Sequence, residues 1–221
     1  MAAAFGGYTI NVQTGKFPQK VATGFGKVFE GMVGASYEPI AYLGSKVVNG
    51  INHAILCKQI LVVNEDVKSI VLVILNEKPG DVAAETFSIV EISTFMSNGG
   101  ALGGLNIAPT TNIPAEAQAI FDKHFGGFLG ANNKAFALLA TQLVHGGAYV
   151  FAVESSMVVA PGKMTSGAIK SINLVKVFSD FSEIETINIL DGIAEGQLLG
   201  TGEEKPETVG YAFPWLSKAW P

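Results

Sequence analysis

Apolar residues return along this chain with two different periods, and they do so twice. Val21, Phe25, Val28, Phe29 and Met32 follow steps of 4, 3, 1 and 3, which is one face of a helix. Ala117, Phe121, His124, Phe125 and Phe128 follow the same steps. Pro18 and Pro114 stand ahead of the two stripes, where a helix loses nothing by lacking an N–H. Before each stripe comes a short extended piece, Tyr8–Val12 and Leu105–Ala108. After each stripe the chemistry turns to β-branched runs. In the first half these are Asn52–Val63, Lys68–Leu75 and Glu85–Phe95, broken at Asn64-Glu65-Asp66 and at Asn76–Asp81. In the second half they are Ala148–Val159, Ala168–Phe178 and Ile184–Leu190, broken at Pro161-Gly162-Lys163 and at Ser179–Glu183. Runs punctuated in this way predict an antiparallel meander. A strand, a helix and three or four hairpin-linked strands predict the α+β class, with one face of each sheet covering its helix.

The two halves are also related residue by residue. Phe29, Gly31, Gly34, Ala35, Ala41, Leu43, Val48 and Gly50 recur at an offset of 96 as Phe125, Gly127, Gly130, Ala131, Ala137, Leu139, Val144 and Gly146. These are 8 identities in 22 aligned positions; chance at this composition gives about two. A period this long marks a duplicated unit rather than a solenoid repeat. The expected division is residues 1–97, residues 98–192 and a tail, 193–221. The Gly-rich segment Ser97–Gly104 is the linker. The tail carries Phe213, Trp215 and Trp220, of which at least Trp215 is expected to pack on a domain of the chain or on a partner.

Composition narrows the function. Among 221 residues, 48% are hydrophobic and 15% charged, and the net charge is −5 with no arginine. The two halves carry net charges of −1 and −2 by residue count, so nothing offers the basic patch that phosphate neutralisation requires. Nucleic acid is therefore not an expected partner. The longest apolar run, Ile70–Leu75, is too short to span a bilayer, so no membrane association is expected. A single cysteine, Cys57, excludes an intramolecular disulfide, and together with the absence of a leader pattern it reads as cytoplasmic.

Where helix gives way to strand, the halves read Lys46-Val47-Val48-Asn49-Gly50-Ile51-Asn52-His53 and Gln142-Leu143-Val144-His145-Gly146-Gly147-Ala148-Tyr149. Both resemble the Gln-Val-Val-Ala-Gly-x-Asn-Tyr segment of the cystatins, and among them the cytosolic stefins. Gly103-Gly104-Leu105 followed by Pro114–Lys123 is similar to the stefin N-terminal Gly-Gly and helix, and Asn76–Gly80 falls where stefins carry a Leu-Pro-Gly hairpin. The resemblance covers roughly residues 5–192 and implies two tandem cystatin-like domains, each an antiparallel sheet wrapped around one helix. It further implies a reversible, tight-binding inhibitor of papain-like cysteine proteases, in which an N-terminal segment and two hairpin loops enter the protease cleft. Carried onto this chain, the protease-binding residues are Gly6, Gly7, Val47, Val48, Asn49, Gly50, Pro79 and Gly80 in the first half. In the second they are Gly103, Gly104, Gln142, Leu143, Val144, His145 and Gly146. The first half, with Gly6-Gly7 at its start and Pro79-Gly80 in its second hairpin, is the expected inhibitory copy. Lys46 and Asn49 depart from the family's Gln and Ala, as does His145 in the second half. The alternative is a non-inhibitory structural or assembly protein built on the same duplicated fold.

Other chemistry is thin. The three histidines are not spaced as metal ligands, and the lone cysteine offers them no partner. Neither a metal nor a cofactor is expected. Cys57 sits in an apolar strand as an inert thiol, and His124 lies on the apolar helix face as an edge-of-core residue. With no acid–base or nucleophile constellation, the chain does not read as an enzyme.

Overall fold

The computed structural model describes residues 7–78, 87–98, 104–127, 130–143, 146–157 and 169–192. Gly6, Pro79, Gly80, Gly103, Val144, His145 and the tail with Phe213, Trp215 and Trp220 lie outside the described residues. The chain runs β1 (Thr9–Thr14), α1 (Gln19–Phe29), β2 (Ala35–Val48), β3 (Gly50–Leu61), β4 (Asn64–Glu77) and β5 (Phe87–Ser97). It continues β6 (Asn106–Thr110), α2 (Ala115–Phe125), β7 (Ala131–Gln142), β8 (Ala148–Met157), β9 (Ile169–Phe178) and β10 (Ile184–Asp191). Both helices start immediately after the prolines that the sequence places there, Pro18 and Pro114.

The strands form two antiparallel five-stranded sheets, ordered β1-β2-β3-β4-β5 and β10-β9-β8-β7-β6. One face of the first sheet takes α1: Val21 and Phe25 pack on Tyr42, Ile55, Cys57, Val71, Val73, Leu75 and Phe87. One face of the second takes α2, with Ala117 and Phe121 on Leu138, Phe151, Val153, Val175 and Val177. The remaining faces meet each other. Ala41, Leu43, Leu56, Ile70, Leu72 and Ile74 join Ile107, Leu139, Val150, Ile172 and Leu174 in one buried core. The layers are therefore helix, sheet, sheet, helix. This is why β4 reads as an unbroken apolar run: Ser69–Leu75 is buried along its whole length because both of its faces are covered.

The expected α+β class, with two cystatin-like units each wrapping a sheet around a helix, is corrected by this arrangement. Strands make up 65% and helices 14% of the described residues, which is a β-rich class. The physical reason lies in the second face of each sheet. A sheet that serves one helix leaves its far face to solvent and alternates polar with apolar; here that far face is apolar and the partner sheet covers it.

Strand β1 binds the two sheets at their rim. The Tyr8 N–H donates to the Asp191 carbonyl at 3.0 Å, where β10 ends. At the other end of β1, Val12 and Thr14 line a crevice of about 380 Å³ with Thr111, Ile113, Lys134 and Phe136. Strand β1 thus crosses the second sheet from its β10 edge to its β6–β7 edge.

The halves share fine irregularities as well as elements. Pairing of β2 with β3 slips between Pro39 and Ala41 and between Tyr42 and Gly44. Pairing of β7 with β8 slips between Ala135 and Ala137 and between Leu138 and Ala140, each 96 residues later. Such bulges bend a strand and raise its twist, and here they fall at equivalent positions in both sheets.

Candidate functional site

The segment that carries the stefin-like motif is a β-hairpin, not a helix-to-strand junction, because residues 35–48 are a strand. Val48 pairs with Gly50 across the tip, leaving Asn49 exposed at the turn. Gly50 is required there twice over. Its φ is +104°, and a Cβ on it would lie 2.2 Å from the Glu77 carbonyl oxygen. Val47 projects outward with 80% of its surface exposed, whereas Val48 is half-buried. Asn76 Nδ2 steadies the loop, donating to Asn52 Oδ1 at 2.8 Å and reaching the Asn49 carbonyl at 3.5 Å.

The start of β1, the end of β4 and the start of β5 lie at this same end of the sheet. Thr9 is registered with Ser45, and Ile51 and Phe87 are both registered with Glu77. Gly7 is therefore close to the hairpin, but it is held by the second sheet. A Cβ on Gly7 would sit 3.0 Å from the Asp191 carbonyl oxygen and from the Gly192 carbonyl carbon.

Beneath the hairpin, on the α1 side of the sheet, runs a chain of polar groups that the sequence did not flag as a unit. Lys20 Nζ meets Glu77 Oε1 at 2.6 Å, Glu77 Oε2 meets His53 Nε2 at 3.1 Å, and His53 Nδ1 meets Tyr42 Oη at 3.1 Å. A neutral His53 with its proton on Nε2 satisfies every member: Nε2–H donates to the carboxylate and Nδ1 accepts the tyrosine hydroxyl. Burial pushes the His53 pKa below the usual imidazole range, against the pull of Glu77. Burial alone would raise the Glu77 carboxyl, but hydrogen bonds from Lys20 and His53 outweigh it and hold that carboxyl low. Burial also raises the Tyr42 hydroxyl. The available signals were His53 in an otherwise apolar strand and Glu77 directly after the apolar run of β4.

The relay is well built to hold α1 against the hairpin end and poorly built for chemistry. His53 is only 7% exposed and both ring nitrogens are engaged. Cys57 is fully buried, its thiol pKa is pushed up by burial, and its Sγ contact is the Ile55 carbonyl. Among the described residues, no group of three or more His, Cys, Asp or Glu side chains could hold a metal ion. No helix among them is long and apolar enough to cross a membrane.

In the second half, Gln142 ends β7 half-buried, Leu143 is 93% exposed and Gly146 turns the chain with φ +92°. Gly104 is exposed ahead of β6. None of the relay is retained: Glu116, Leu138 and Tyr149 stand 96 residues after Lys20, Tyr42 and His53. Ser179, whose N–H bonds to Gly147, takes the place of Glu77. His124 accepts its predicted role at the core edge, its Nε2 2.9 Å from the Phe178 carbonyl and its ring against Phe181.

No protein-family model, curated protein or solved structure matches the chain.

Proposed function

We propose that the hairpin end of the first sheet is a protein-docking edge, and that through it the chain acts as a reversible inhibitor of papain-like cysteine proteases. The observation that carries the reading is Val47: an aliphatic side chain 80% exposed at the tip of a hairpin that Asn76 and the Lys20–Glu77–His53–Tyr42 relay hold rigid. A rigid apolar tip loses little entropy on entering an apolar cleft, so its burial contributes to affinity instead of offsetting ordering costs. The stefin-like residues Val47, Val48 and Gly50 name the protease class.

The second reading, a non-inhibitory structural or assembly protein, is favoured by the Tyr8–Asp191 hydrogen bond, which engages the N-terminal segment inside the molecule. Titration of active papain with the chain distinguishes the two. Inhibition is expected to saturate at a fixed stoichiometry, and Val47→Asp, which places a charge in a dry cleft, is expected to weaken it about 100-fold or more. Absence of inhibition by the wild-type chain leaves only the structural reading.

A further inference from the structure

At the opposite end of the first sheet the surface changes character. Val33 is 93% exposed, Val63 88%, Val62 61% and Met32 39%, so four apolar side chains crowd two neighbouring loops. The loops are tied together, the Val62 N–H donating to the Gly34 carbonyl at 3.0 Å. Beside them opens a groove of about 630 Å³ between the end of α1 and the start of β2, lined by Phe25, Phe29, Met32 and Tyr37. Its aromatic floor is preformed: the Phe25–Phe29 and Phe29–Tyr37 ring centroids are each 4.5 Å apart. Lys27 and Glu30 also line the groove, both exposed, and among the described residues neither makes an ion pair.

We propose that this tip is the interface of a two-fold homodimer. A protruding apolar tip beside an apolar groove is self-complementary. Under a two-fold axis the Met32–Val33 loop of each copy enters the groove of the other, and residue i of one copy meets residue j of its partner twice. Charge sets the same geometry. The two unmatched groove charges have opposite sign, so Lys27 of one copy faces Glu30 of the other in two equivalent pairs. A contiguous apolar patch also needs a cover, and a second copy supplies one that matches both groove charges, Lys27 and Glu30.

Sedimentation velocity of the full chain, over concentrations from about 1 µM to 1 mM, tests the proposal. A reversible monomer–dimer equilibrium is expected. Val33→Asp is expected to abolish it, and Glu30→Lys to weaken it about tenfold or more. The double variant Lys27→Glu with Glu30→Lys is expected to restore it to within about threefold of wild type, because the pairs are exchanged and not removed. All three positions are exposed, so thermal melts serve as the folding control. A chain that stays monomeric throughout, a dimer indifferent to Val33→Asp, or a double variant no tighter than Glu30→Lys alone overturns it. Association with phosphatidylcholine vesicles by a chain that remains monomeric would assign the patch to a lipid surface instead.

Discussion

Gly24 and Gly26 lie two residues apart in α1, yet alanine is expected to act on them in opposite directions. A Cβ on Gly26 meets nothing within 4 Å, so Gly26→Ala is expected to stabilise by about 0.5–1 kcal/mol through helix propensity alone. A Cβ on Gly24 would lie 2.4–2.7 Å from ring carbons of Phe87, a buried residue with little room to retreat. Gly24→Ala is expected to destabilise by about 1–3 kcal/mol. Urea midpoints of the two variants against wild type check both signs. His53 makes a second prediction at this scale. Its folded pKa lies below the reference value of 6.5, so the unfolded chain takes up the proton first as pH falls. The stability it contributes is whole above pH 6.5 and is lost as pH drops from there through the folded value. Glu77, also held below its reference of 4.5, contributes stability that is present above that value and lost as pH falls further through its own folded pKa. Urea unfolding measured at successive pH values is expected to show both losses; His53→Gln is expected to remove the upper one and to reduce the lower one, because His53 helps Lys20 hold the Glu77 carboxyl low.

Among the elements, the helices were legible from the steps of 4, 3 and 1 that end at Phe29 and Phe125, and Pro18 and Pro114 mark where they begin. The last step was over-read, since Met32 lies beyond the end of α1 and is exposed, and Phe128 lies outside the described residues. Strand β4 was legible from Ile70–Leu75, although its continuous hydrophobicity fitted a strand covered on both faces better than the half-covered strand of an α+β sheet. Strands β2 and β7 were not legible. The register slips around Ile40 and Leu43, and their counterparts Phe136 and Leu139, interrupt strict alternation, so Ala41–Gly44 is buried as four consecutive residues. Pro39 and Gly44 argue against a strand by composition as well. Missing β2 turned the motif into a junction where the structure has a hairpin, and so hid which of the two valines faces outward. The hairpin carries its own test. Gly50→Ala combines a positive φ with a steric conflict at the Glu77 carbonyl, and is expected to cost at least about 1–3 kcal/mol by urea denaturation. In any binding assay its effect is expected to resemble that of Val47→Asp.

In the whole molecule, the duplication that the sequence displays has become an internal pairing of two sheets. The sequence carried the repeat and its offset; it did not carry the sharing of one core, because a residue facing its own helix and a residue facing the other sheet are equally apolar. Two crevices mark the pairing, each lined by residues of both halves. In one, Pro109–Thr111 of the second half meets Glu38, Pro39 and Lys58 of the first. In the other, Val12 and Thr14 of the first half meet Lys134, Ala135 and Glu154 of the second. The charges are exchanged between the two, since Glu38 and Lys58 become Lys134 and Glu154 at an offset of 96. With one core between the sheets, neither half is complete without the other. Leu56 and Leu174 lie in that core from opposite sheets, 0% and 1% exposed, and truncation of either to alanine is expected to cost about 2–5 kcal/mol. Differential scanning calorimetry of the wild-type chain and of Leu56→Ala and Leu174→Ala is the most direct test. A shared core requires one transition with equal calorimetric and van't Hoff enthalpies, lowered as a unit by either substitution. Two separable transitions, one moved only by Leu56→Ala and the other only by Leu174→Ala, would contradict it.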